Sequence, residues 1–200
     1  MYPKKKTPAE RGQMIFLMIC LSFLLGVAGG AVAANIAGQS GKETFALFLQ
    51  EHLSPGTEAS YGYVVWKYLK YDLLIWLGGW LSMGVFLSGC VCLFRSISLG
   101  FTAAMMMASY GAKGVWLTAI SILPQNLILI PVYIGMTTAA LYYLFAWNEE
   151  SPRKSAGKRE RRKKQTEYCI LLAASILLIA VAGGVEVGML PFLTAHFADI

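Results

Sequence analysis

Residues 14–37 read MIFLMICLSFLLGVAGGAVAANIA, an apolar run without a single charged side chain. A helix of about 20 such residues crosses the ~30 Å hydrocarbon core of a bilayer, so this run predicts a transmembrane helix. Across the 200 residues, 56% are hydrophobic and only 14% are charged, and a soluble domain cannot hide that much apolar surface. Further apolar runs lie at residues 73–94, 97–110, 115–147 and 168–188. We therefore predict an all-α, polytopic membrane helix bundle with about five transmembrane helices, forming one domain over residues 1–200.

Basic residues gather at two places. Of the 17 Lys and Arg, four precede the first apolar run and eight lie between residues 153 and 164. Clusters beside membrane spans keep their segments cytoplasmic and lie well against anionic lipid, so the net charge of +6 does not indicate nucleic acid. We expect residues 1–13 and the basic linker 148–167 in the cytoplasm, and Arg95 at the cytoplasmic end of the second span. Five crossings then leave the C-terminus outside.

Residues 39–72 form an amphipathic segment between the first two predicted spans. One predicted helix starts at Lys42 and places Phe45 on an apolar face, and a second, after the Pro55-Gly56 break, is rich in Tyr and Trp. Aromatic density of this kind is typical of the membrane interface. We expect this segment outside, where it is the longest stretch available to an external partner.

The apolar run 115–147 is too long for one straight span and contains Pro124 and Pro131. Proline lacks an amide hydrogen and clashes with the preceding turn, so we predict a broken helix here. Gln125 and Asn126 lie between the prolines and bring hydrogen-bonding groups into a hydrocarbon environment. Because irregular backbone at membrane depth must be covered by protein or a wet cavity, we expect this segment inside the bundle.

Two further features mark the first and last spans. Gly26 and Gly30 are four residues apart on one helix face, a spacing that favours close helix packing in lipid. Glu186 is a carboxylate near the outer end of the last span. Three interpretations of it stay open: a proton or ligand relay, a hydrogen bond that fixes the last helix to another helix, or a side chain that reaches the lipid headgroups.

No catalytic centre is visible in the sequence. The two histidines, His52 and His196, are far apart, and the four cysteines form no paired C-x-x-C motif. Nucleotide-binding, nucleophile-elbow and metalloprotease motifs are all absent. We therefore predict no enzyme activity, no cofactor and no metal site. The sequence leaves self-association open.

Residues 123–135, LPQNLILIPVYIG, resemble the signature segment of the stage II sporulation protein M family. The surrounding pattern agrees with this resemblance over nearly the whole chain: FLLGVAGG at residues 23–30, RSISLGFT at residues 95–102, and Glu186 followed five residues later by Pro191. The basic linker is more highly charged than the family pattern suggests.

The resemblance implies a protein of endospore-forming bacteria that acts in engulfment, in the mother-cell membrane that migrates around the forespore. It implies a noncatalytic scaffold of a peptidoglycan-remodelling complex, with stage II sporulation proteins D and P as the cell-wall hydrolases. The alternative hypothesis is a small membrane transporter or channel that uses the broken helix and Glu186.

Overall fold

The structure, a computed structural model, describes residues 8–52, 60–81, 83–149 and 156–197, which contain six helices and no strand. In chain order these are α1 (Pro8–Ile36), α2 (Gly38–His52), α3 (Tyr61–Gly78), α4 (Gly84–Ser121), α5 (Leu123–Glu149) and α6 (Ala156–Phe197). Four of them, α1, α4, α5 and α6, are long and apolar enough to cross a membrane. The prediction of an all-α membrane bundle is confirmed for this described part of the chain.

Contacts between the helices give their directions. Asp72 contacts Ser175 and Trp76 contacts Tyr168, so α3 and α6 run antiparallel. On α5, Tyr143 also packs against Tyr168.

The direction of α1 follows from its seam with α4. Gly26 lies against Ser96, and Gly30 lies against Phe101 further along α4, so these two helices are parallel. The order α1, α3, α4, α5, α6 therefore alternates up and down, with α2 outside this set. Val64, Tyr68 and Ile75 of α3 belong to a core shared with α5 and α6.

The predicted second span at residues 73–94 is wrong. The helix that begins at Tyr61 ends at Gly78, and α4 begins after a turn at Gly84. Glycine at position 84 permits this turn, because a Cβ there would overlap the carbonyl oxygen of Gly78. Arg95 consequently lies inside α4 and not at its end.

The interruption expected between Pro124 and Pro131 lies earlier, at Ile122, which separates α4 from α5. Pro124 falls in the first turn of α5, where its missing amide hydrogen costs no helical bond. Pro131 is exposed within the continuous α5; membrane helices tolerate such prolines because local adjustments satisfy the freed backbone groups.

The gap between the predicted apolar runs 97–110 and 115–147 corresponds to a bend in α4. Gly111 has φ 56°, and the bend brings Leu117 back onto Met106. The linker 148–167 is helical from Ala156 onward, as the start of α6, while residues 150–155 lie outside the described residues.

Candidate functional site

A set of polar side chains lies within the bundle where α3 meets α4, α5 and α6. We call it the α3 polar cluster, and its members are Lys67, Tyr68, Asp72, Arg95, Tyr133, Ser175 and Glu186. Polar and ionisable groups at membrane depth are costly, and they normally face the bundle interior and pair with one another. Lys67, Tyr68 and Glu186 pair in this way, whereas Asp72 and Arg95 each keep one buried polar atom without a hydrogen-bond partner among the described residues.

Asp72 is the most deeply buried member, with 0% of its surface exposed. It lies on the same face of α3 as Tyr68 and Ile75, because the spacing of four and three residues returns to one side of a helix. Ser175 of α6 donates a hydrogen bond to Asp72 Oδ2 at 2.5 Å. The other carboxylate oxygen, Oδ1, is buried and accepts no hydrogen bond from the described residues. A desolvated acceptor of this kind carries a free-energy cost that the fold must offset.

Glu186 binds two neighbouring residues of α3. Its Oε2 accepts a hydrogen bond from the Tyr68 hydroxyl, and its Oε1 lies 3.5 Å from Lys67 Nζ. Glu186 is 16% exposed and Lys67 is 45% exposed, so the pair lies at the edge of the core. These partners are the kind expected if the carboxylate fixes α6 to another helix, and that helix is α3.

Arg95 of α4 lies among aromatic rings. Its guanidinium carbon is 5.3 Å from the ring centroid of Tyr68, 5.2 Å from that of Tyr71 and 5.1 Å from that of Tyr133. A guanidinium over the face of a tyrosine ring is attracted by the ring quadrupole, and more strongly so when water is excluded. Tyr133 also donates a hydrogen bond to the Tyr68 carbonyl oxygen at 3.1 Å. Arg95 thus connects α4 to α3 and α5.

Aromatic rings close one end of the bundle. Tyr168 stacks on Tyr143 with ring centroids 4.8 Å apart and on Trp76 with centroids 5.9 Å apart, and Trp80 packs on Tyr143. The Tyr168 hydroxyl donates to the Trp76 carbonyl oxygen at 2.7 Å. Tyrosine and tryptophan are enriched at membrane–water interfaces, where one part of the ring is apolar and the other is wet. This end also holds the turn between α3 and α4.

Gly26 and Gly30 lie on the seam between α1 and α4, as their spacing predicts. A Cβ at Gly30 would lie 2.8 Å from the Phe101 amide nitrogen and would overlap the Ile97 carbonyl oxygen. On the other helix, a Cβ at Gly100 would overlap the Val27 carbonyl oxygen. The two backbones therefore touch directly, which is the packing that small residues permit in lipid.

The other predicted site residues do not meet Glu186. Asn126 donates to the carbonyl oxygen of Ile122 at 2.8 Å, which satisfies a carbonyl at the helix junction. Gln125 is partly buried beside it, near the start of α5. Pro191 falls within α6, and its side chain is outside the described residues.

Sequence reasoning missed Asp72, Arg95 and Tyr68. Asp72 and Arg95 were assigned to the two ends of a span, because charges that flank an apolar run usually mark its ends. The available signal was the spacing that puts Tyr68, Asp72 and Ile75 on one face of α3. The α6 residues that bind Tyr68 and Asp72 are more than 100 residues away in sequence.

The described residues include no group of three His, Cys, Asp or Glu side chains placed to hold a metal ion. The helices and the α3 polar cluster define a polytopic α-helical membrane protein. The model of the family "Stage II sporulation protein M" matches residues 18–189. The chain therefore belongs to the stage II sporulation protein M family and is a sporulation-related membrane protein. Comparison with curated proteins finds no match, and comparison with solved structures finds none either.

Proposed function

We propose that this chain is a noncatalytic membrane scaffold, which recruits cell-wall hydrolases to the septal membrane during engulfment. The observation that carries the proposal is the arrangement of charge in a chain of this family: Glu186 is bound to Tyr68 and Lys67, and Arg95 is enclosed by tyrosine rings. A catalytic carboxylate or base needs access to substrate, whereas these groups contact one another. The role of the cluster is then to hold the helices in register.

The proposed orientation has the N-terminus in the cytoplasm and the C-terminus outside the mother-cell membrane. The basic residues before α1 and at the start of α6 support it, since such clusters are retained inside. With α3 as a fifth crossing helix, the five helices alternate in direction, and both basic clusters then lie on the same side of the membrane. Residues 38–52, which form α2, then lie outside, on the side where peptidoglycan is located.

The proposed partners are the stage II sporulation proteins D and P, which the resemblance implies. A scaffold of this kind predicts that hydrolase fusions gather at the engulfing membrane of a sporulating host. We expect deletion of the gene to disperse the fusions and to stop membrane migration, and the wild-type chain to restore both. A hydrolase that localises normally without the chain contradicts the recruiting role.

The absence of catalysis is tested separately with purified protein. Proteoliposomes that hold only this chain should release no soluble fragments from added peptidoglycan, while a hydrolase added to the same vesicles serves as the positive control. Peptidoglycan hydrolysis by the chain alone, abolished by Glu43→Gln on the exposed face of α2, would overturn the proposal.

The alternative of a transporter or channel has less support than the sequence suggested. It relied on a broken helix and on Glu186 to line a path through the membrane, but α5 continues through Pro131 and Glu186 binds two α3 side chains. Ion and solute flux across proteoliposomes measures it directly. Substrate-dependent flux that disappears in Glu186→Gln would favour the transporter.

A further inference from the structure

Lys70 is an exposed cation of α3 without an ion pair among the described residues. Lys67, one turn earlier on α3, pairs with Glu186, whereas no carboxylate of the described chain lies within ion-pair distance of Lys70. Its ammonium lies over the ring of the adjacent Tyr71, 5.1 Å from the centroid, and the side chain is exposed.

In the topology proposed above, with α3 as a fifth crossing helix, Lys70 lies far from both ends of that helix. The helix has 18 residues, about 27 Å at ~1.5 Å per residue, and Lys70 lies near its middle. The aromatic end of the bundle, at Trp76 and Trp80, lies on one side of it and Tyr61 on the other. A four-carbon lysine stem is much shorter than half the helix, so the ammonium cannot reach the headgroups fully.

The surface around Lys70 is apolar. The side chains of Trp66, Leu73, Leu74, Trp76 and Leu77 line a shallow hollow with Lys70 on the outer surface of α3. We call this surface the Lys70 face. Lipid tails could cover its apolar part, but they leave the ammonium without a counter-charge.

A second copy of this chain offers no free carboxylate for Lys70 among its described residues at this depth. Asp72 and Glu186 lie within the bundle there, and each already binds side chains of its own chain. Symmetric pairing through the Lys70 face would bring two lysines together. An anionic lipid headgroup stays at the surface, so it is a poorer counter-charge for Lys70 than a carboxylate at the same depth.

We infer that the Lys70 face binds a transmembrane helix of a different protein, and that this helix carries an Asp or Glu near the centre of the membrane. The carboxylate pairs with Lys70, while apolar side chains of the partner fill the hollow between Trp66 and Trp76. Interhelical polar contacts add to van der Waals packing in lipid. This inference rests on the proposed scaffold function and specifies the chemistry of its partner.

The test uses the full chain in phosphatidylcholine vesicles and synthetic leucine–alanine transmembrane peptides. One peptide has a central Glu and the matched peptide a central Gln, and energy transfer between fluorophores on chain and peptide measures association. We expect the Glu peptide to bind about tenfold more tightly than the Gln peptide. Lys70→Met should abolish the preference, Lys70→Arg should retain it, and Lys70→Glu should transfer it to a peptide with central Lys.

A steric pair checks the location. Leu74→Trp within the Lys70 face should weaken binding of the Glu peptide, whereas Leu24→Trp, on the exposed side of α1, should not; the two leucines are 41% and 66% exposed. Retained thermal stability in detergent confirms that each variant folds.

Equal binding of the Glu and Gln peptides, or a preference that survives Lys70→Met, overturns the inference. So does labelling of Lys70→Cys, in a chain without other cysteines, by a membrane-impermeant maleimide, because the position would then be in water. Hydrolase localisation that stays normal in Lys70→Met cells contradicts this inference and leaves the scaffold function standing, whereas failure of the scaffold function is read from the gene deletion.

Discussion

Asp72 shows how a single buried carboxylate constrains two helices. Ser175 provides a hydrogen bond to one of its oxygens, while the other oxygen has no partner in the described chain. Removing the hydroxyl leaves the whole carboxylate desolvated, so we expect Ser175→Ala to lower the free energy of unfolding by about 1 to 3 kcal/mol. Titration with SDS in mixed micelles measures the change.

The matched double variant separates this pairing from simple packing. Replacing both partners by apolar groups removes the unsatisfied charge, so Asp72→Leu combined with Ser175→Ala should be more stable than Ser175→Ala alone. If the double variant is the less stable of the two, the cost of the buried carboxylate has been overestimated and Asp72 contributes through another contact.

Tyr68 joins α3 to α6 through the bond from its hydroxyl to Glu186. Tyr68→Phe keeps the ring that packs against Arg95 and removes only this bond, so we expect a loss of about 1.5 to 3 kcal/mol, the range for hydrogen bonds to charged groups. The control is Tyr63→Phe on the same helix, where the side chain is 69% exposed and the expected change is near zero. Equal effects at both positions would show that the Glu186 bond adds no stability.

The seam between α1 and α4 depends on the absence of side chains at chosen positions. A Cβ at Gly30 would collide with the backbone of α4, whereas a Cβ at Gly29, one residue earlier, meets nothing within 4 Å. We therefore expect Gly30→Ala to destabilise the bundle by about 1 to 3 kcal/mol through overpacking, with Gly29→Ala close to neutral. A Gly30→Ala protein as stable as wild type would indicate that the two helices are further apart than described.

The sequence predicted apolar runs for three of the four candidate spans, α1, α5 and α6, but the run predicted at 115–147 begins before Leu123, where α5 starts. It misplaced the second span. Lys67, Lys70 and Asp72 made α3 look polar, and the apolar residues after Asp72 looked like the start of a new helix. The groups that make α3 compatible with the bundle, Ser175 and Glu186, are distant in sequence, and pairing of this kind cannot be read from local hydropathy.

The candidate site was predictable only in part, for a related reason. Gly26 and Gly30 reveal their packing through local spacing alone, and Glu186 is conspicuous as a carboxylate in an apolar run. Nothing local assigns Tyr68 as the partner of Glu186, or tyrosine rings as the environment of Arg95. Those contacts exist because α3 returns through the bundle between helices that are far from it along the chain.

The accessibility of the turn between α3 and α4 distinguishes two topologies of the whole molecule. If residues 73–94 were one span, position 83 would lie near the membrane centre; in the described fold Met83 is in the turn between α3 and α4 and is 81% exposed. That turn is at the aromatic end of the bundle, together with Tyr168 at the end of the basic stretch. In a variant without native cysteines, we expect Met83→Cys to react with a membrane-impermeant maleimide only in permeabilised cells, where the reagent reaches the cytoplasmic face.

Two control positions accompany this measurement. Lys113→Cys, beyond the bend at Gly111, should react in intact cells. Leu25→Cys, on the lipid-facing side of α1, should not react from either side of the membrane. An unreactive Met83→Cys would return the second span to residues 73–94 and remove α3 from the membrane, whereas its labelling in intact cells would invert the proposed orientation.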